Sequence, residues 1–122
     1  MSKKDVKIFE KVYYYLKQSL NSLENWEVVS IDDSIDGNFG QAIKFTLEHT
    51  IENKEENSDE ILQMNIELGY DEDFKWYLSA LGNTIEEDNE IKDIEEFDEF
   101  DSLNKLEVFN WVEQFVEKVG LN

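Results

Sequence analysis

Apolar residues Val6, Phe9, Tyr13, Leu16, Leu20 and Leu23 recur at intervals of three and four, the spacing that lays side chains along one face of an α-helix. An amphipathic first helix is therefore predicted, with Ser2 placed to cap it and Asn21, Ser22 and Asn25 marking its end. Val12 and Tyr15 widen the stripe beyond the two positions per heptad of a zipper, so the helix is expected to lie on a sheet. Trp26 to Ile31 reads as a short strand, and Asp36-Gly37-Asn38-Phe39-Gly40 as a turn with two glycines able to take positive φ. Ile43, Phe45, Leu47, His49 and Ile51 then alternate with Ala42, Lys44, Thr46, Glu48 and Thr50, the period-two pattern of a strand buried on one face.

After the polar stretch Asn53 to Asp59, a third strand follows in which Leu62, Met64, Ile66, Leu68 and Tyr70 alternate with Gln63, Asn65, Glu67 and Gly69. The acidic turn Asp71-Glu72-Asp73 leads to a fourth, Phe74 to Leu81, with Phe74, Trp76, Leu78 and Ala80 on one side. Near the C-terminus, Leu106, Phe109, Val112, Val116 and Val119 outline a second helix, capped by Asp101 or Ser102 and stopped at Gly120. The expected fold is a single α+β domain over residues 1–122, ordered α-β-β-β-β-α. Four antiparallel strands form a meander, with both helices on one face of the sheet.

Between the sheet and the last helix lies a segment, residues 86–101, in which ten of sixteen residues are carboxylates. Ile91, Ile94, Phe97 and Phe100 interrupt it at intervals of three. That spacing fits one or two helical turns and also an extended segment laying its aromatics on the surface. The segment belongs to a chain with 30 Asp and Glu against 11 Lys, no Arg, and a formal net charge of −19. Such a field disfavours direct binding of nucleic acid, which requires a cationic footprint, and of anionic membranes. It favours association with a basic protein, whose approach it steers. Solubility alone is the simpler use of excess acid.

Composition narrows the remaining classes. With 40% hydrophobic and 13% aromatic residues, the chain has the apolar content to fold. No run of roughly 18 apolar residues predicts a membrane span, and no apolar run after Met1-Ser2-Lys3-Lys4-Asp5 predicts a signal peptide, so a cytoplasmic protein is expected. The chain contains no Cys and a single His, His49, on the apolar phase of its strand. A structural role for His49 is expected in place of catalysis, and no Gly-x-Ser-x-Gly elbow or phosphate-cradling glycine loop is present. No enzymatic activity and no cofactor are predicted. Asp32-x-Ser34-x-Asp36-Gly37-x-Phe39 matches the first eight positions of a calcium loop, but Ile43 stands where the closing Glu belongs and a strand follows, so a hairpin turn is expected and no metal site.

The expected function is that of a small acidic inhibitor that blocks a basic, nucleic-acid-acting protein. A toxin immunity protein or antitoxin is the first form considered. A phage-encoded nucleic-acid mimic directed at a restriction or CRISPR effector is the second, and a small-ligand or assembly module the third. The residues expected to meet the partner are Glu86, Glu87, Asp88, Asp93, Glu95, Glu96, Phe97, Asp98, Glu99, Phe100 and Asp101, with Asp71, Glu72 and Asp73 as a second patch. Aromatic anchors within a charged rim are a common way to concentrate binding energy. A monomer is favoured.

Overall fold

Five strands, one more than the sequence pattern predicts, form a single antiparallel sheet in the computed structural model, which describes residues 3–36, 41–53, 58–70, 75–85 and 91–119. In chain order the elements are α1 (Lys3–Asn21), β1 (Glu27–Asp36), β2 (Gln41–Asn53), β3 (Ser58–Tyr70), β4 (Trp76–Ile85), β5 (Ile91–Phe100) and α2 (Lys105–Val119). The strands lie side by side in sequence order, as a meander. The added strand is β5, made from the acidic segment. Residues three apart on a strand face opposite ways, so the interval that resembled a helical period divides Ile91 and Phe97 from Ile94 and Phe100. Ten register pairs with β4, from Trp76↔Phe100 to Ile85↔Ile91, hold it in place. Such pairing satisfies backbone groups that a helix of one or two turns leaves open at its ends.

Other boundaries also move. β1 runs on to Asp36, past the expected end at Ile31, and β4 continues to Ile85; Phe74 lies outside the described residues. The candidate calcium positions Asp32, Ser34 and Asp36 therefore belong to a strand, with Asp32 opposite Lys44 and Asp36 opposite Gln41; Gly37 and Phe39 are outside the described residues. Among the described residues no group of three or more His, Asp or Glu is placed to hold a metal ion.

Alternation along the strands builds the core. Ile31, Phe45, Ile66 and Ala80 line up across four strands, and Val28, Leu47, Met64, Gly82 and Ile94 form the next row across all five. Gly82 belongs there because β3 passes so close that a Cβ at this position would meet the Gln63 carbonyl oxygen. Both helices cover this inner face. From α1, Tyr13 stacks on Phe45 at 5.8 Å and Phe9 on Trp76 at 5.7 Å; from α2, Trp111 Nε1 donates to Asp98 Oδ2 of β5 at 2.8 Å. The helices also touch each other: Tyr15 meets Phe109 edge to face at 6.0 Å, with Lys105 Nζ over both rings.

α1 buries Phe9, Val12, Leu16 and Leu20, close to the predicted stripe. Its last turn tightens through Ser22 N and Oγ, both donating to the Ser19 carbonyl. α2 requires a correction. Its buried residues are Val108, Trp111, Val112, Phe115 and Val116, whereas Leu106, expected in the core, is 68% exposed and Phe109 only half-buried. The cap differs as well: Asn104 Oδ1 accepts from the Glu107 amide at 3.1 Å, so neither Asp101 nor Ser102 fills that position. Leu103 and Val108, both buried, then occupy the N′ and N4 positions of a hydrophobic staple, which sets the rotation of the helix. Asn104→Ala is expected to cost about 1 kcal/mol, measured by urea denaturation, with no comparable loss for Ser102→Ala.

His49 sits half-buried beside Leu62 in register. Its ring stacks on Trp26 at 5.5 Å, and Nδ1 lies 2.6 Å from the Asn25 carbonyl. A carbonyl only accepts, so Nδ1 carries the proton and ties the loop after α1 to β2.

Candidate partner-binding surface

The net charge divides sharply between the two layers. α1 and α2 together carry seven Lys against five Asp and Glu, a balance of +2. Among the described residues the strands and connections carry 16 acidic residues and three Lys, a balance of −13; the other −8 of the chain's −19 belongs to residues outside the described ones. Among the described residues the field therefore originates in the sheet layer.

The outer face of the sheet, which the helices leave bare, is mainly polar over β2 and β3, where Thr46 Oγ1 donates to Asn65 Oδ1 at 2.9 Å and Ile61 is the exposed apolar exception. It changes character over β4 and β5. Tyr77, Ser79 and Leu81 face outward on β4, and directly across on β5 stand Glu99, Phe97 and Glu95. Carboxylates thus alternate with Phe97 along β5, and each of Tyr77 and Leu81 on β4 faces a carboxylate across the strand pair. Leu81 is 61% exposed and Phe97 56%, two large apolar groups set diagonally across the strand pair on an open sheet.

The aromatic part of this patch is built to stay in place. Tyr77 and Phe97 stack at 5.5 Å with an interplanar angle of 23°, and the Tyr77 hydroxyl donates to Glu67 Oε2 at 2.7 Å. On β3, opposite Tyr77, Gly69 has no side chain, and a Cβ there would meet the Tyr77 ring. The missing side chain is what lets the ring lie across β3.

Strand parity sorts the residues expected to meet a partner. Asp93, Glu95, Phe97 and Glu99 come together on the outer face; Asp93 also accepts a hydrogen bond from Asn83 Nδ2 at 2.6 Å. Glu96, Asp98 and Phe100 point the other way. Glu96 is half-buried, Asp98 is bound by Trp111, and Phe100 packs against the core, so of the two expected aromatic anchors Phe97 alone is presented. Asp101 lies exposed between β5 and α2, 3.9 Å from Lys75 Nζ. Glu86, Glu87, Asp88, Asp71, Glu72 and Asp73 lie outside the described residues. Tyr77, Ser79 and Leu81 belong to the patch and were missed, because they form the polar-phase half of β4 and gain meaning only once β5 is placed beside it.

On the opposite side, an open cleft of about 730 Å³ runs between α1 and α2. Leu23, Phe109, Val112 and Val116 line its floor, with Gln18, Ser22 and Glu113 at its edges. No helix of the described residues is long and apolar enough to cross a membrane. Comparison with family models, curated proteins and solved structures returned no match, so the surface is interpreted from its own chemistry.

Proposed function

We propose that this chain is a small acidic inhibitor that binds and blocks a basic, nucleic-acid-acting protein, in the manner of a toxin immunity protein or antitoxin. The observation that carries this reading is the charge of −13 on the described strands and connections against +2 on the helices. Solubility requires no such segregation, whereas steering of a basic partner toward one face does. The exposed Phe97 and Leu81, with the half-buried Tyr77 beside them, supply what charge alone lacks, apolar contact that slows dissociation after encounter.

The test is capture from host lysate with the tagged protein at low and at high salt, followed by assay of the recovered protein. The expected result is a basic nuclease or other nucleic-acid-acting enzyme, enriched at low salt and inhibited when the acidic protein is added back. Recovery of self-copies alone, or of a partner whose activity is unchanged, contradicts the proposal.

The phage-encoded mimic of nucleic acid, an anti-restriction or anti-CRISPR protein, is favoured by one feature. Asp93, Glu95 and Glu99 follow one strand, where alternate residues are spaced about 6.6 Å apart. Phe97 interrupts that ridge, which supports a protein cap over a phosphate mimic. Competition separates the two: DNA or RNA displaces a mimic, while a cap seated beside the catalytic cleft keeps its hold. The small-ligand reading rests on the interhelical cleft, whose floor offers apolar contact.

A further inference from the structure

Resting on the outer face as the partner-binding surface, we propose that its central contact is an arginine of the partner, laid flat on the ring of Phe97 and paired with Glu95 or Glu99. The alternation over β4 and β5 suits this side chain better than any other. A purely apolar residue would gain Phe97 and Leu81 but would strip water from the flanking carboxylates without pairing them. A lysine would pair with a carboxylate, but its ammonium is compact and strongly hydrated and gains less from the ring. A guanidinium is planar and weakly hydrated, and it can stack on an aromatic face while its edge donates two parallel hydrogen bonds to a carboxylate.

The geometry of the patch supports the same choice. Glu95 and Glu99 flank Phe97 on the same face of one strand, each about 6.6 Å away along the backbone, so a cation over the ring is within reach of either. The ring is already fixed by its stack on Tyr77, and Tyr77 by Glu67, so little side-chain freedom is lost on binding. Ser79, directly opposite Phe97, leaves room beside the ring for the aliphatic stem.

The experiment uses the isotope-labelled full chain and two blocked pentapeptides of equal charge, one carrying two arginines and the other two lysines, titrated at low salt and followed by backbone amide shifts. Both peptides are expected to shift the amides of residues 77–81 and 93–99, the arginine peptide binding about three- to fivefold more tightly, the range of an exposed cation–π contact. Phe97→Leu, at an exposed position that the fold does not depend on, is expected to erase that preference and leave both peptides bound equally. Equal affinity for the two peptides in the native chain, or a preference that survives Phe97→Leu, overturns the arginine assignment and leaves the acidic-surface reading standing. Absence of shifts on this face with either peptide overturns both.

Discussion

Replacing Phe45 by Ala is expected to lower the stability of the domain by about 3–5 kcal/mol, the range for truncating a buried aromatic. Phe45 is fully buried at the centre of the inner face, between Ile31 and Ile66 in register and beneath the ring of Tyr13. The cavity left behind could not close without moving α1 relative to the sheet. A domain of this size has a total stability of about 5–15 kcal/mol, so the variant would keep a fraction of it, and its melting temperature should fall by roughly 10–20 °C. Thermal and urea unfolding followed by circular dichroism measure the loss. A change below about 1 kcal/mol would mean that α1 does not pack over this face as described.

Reversing Asp93, Glu95 and Glu99 together to Lys is expected to slow association with the basic partner about tenfold or more at low ionic strength. Dissociation should quicken as well, since a guanidinium over Phe97 then loses both carboxylate partners. Three reversals add six charges and bring the net charge from −19 to −13, so a control with the same total is essential. Glu10, Glu113 and Glu117 are exposed on the helices. Their reversal to Lys gives the same −13 on the far side of the molecule, and is expected to slow association by no more than about threefold. The difference between the two variants should shrink as salt is raised and the Debye length falls below about 10 Å. Equal slowing by both would show that net charge alone acts, with no privileged face. The same sorting of residues redirects a natural choice of variants, since Glu96 and Asp98 face inward and reversing Asp98 would break the Trp111 contact.

Much of the fold is written in the alternation of β2 and β3, where four and five apolar residues respectively share one parity and leave no other way to bury one face. α1 is legible for the same reason at the helical period. β5 is not, because an interval of three satisfies a helical turn approximately and a strand equally well if both of its faces accept apolar groups. Deciding between them needs the open edge of β4, a long-range fact. α2 shows a different ambiguity. Leu106, Val108, Phe109, Trp111, Val112, Phe115, Val116 and Val119 fill more than one face of the cylinder, so two stripes are available. The Asn104 cap and the buried Leu103 before it select the stripe through Val108 and Trp111.

The candidate site was half legible for a related reason. Its carboxylates and Phe97 stand out by composition, but parity assigns Glu96, Asp98 and Phe100 to the inner face, and no run of charges reveals parity. Tyr77, Ser79 and Leu81 were hidden because an outward residue on β4 gains its role only from its neighbour across the strand pair. Gly69 carries a trace of the arrangement, as a glycine inside a regular strand often marks a close approach, here by the ring of Tyr77.

The most direct test of the central claim is amide hydrogen exchange on the full chain, free and bound to its captured basic partner. The proposal predicts slowed exchange over Trp76–Ile85 and Ile91–Phe100 together with loss of solvent access at Phe97, and little change on the exposed faces of α1 and α2. Protection concentrated on the helices or around the cleft between them, with β4 and β5 unaffected, would contradict it.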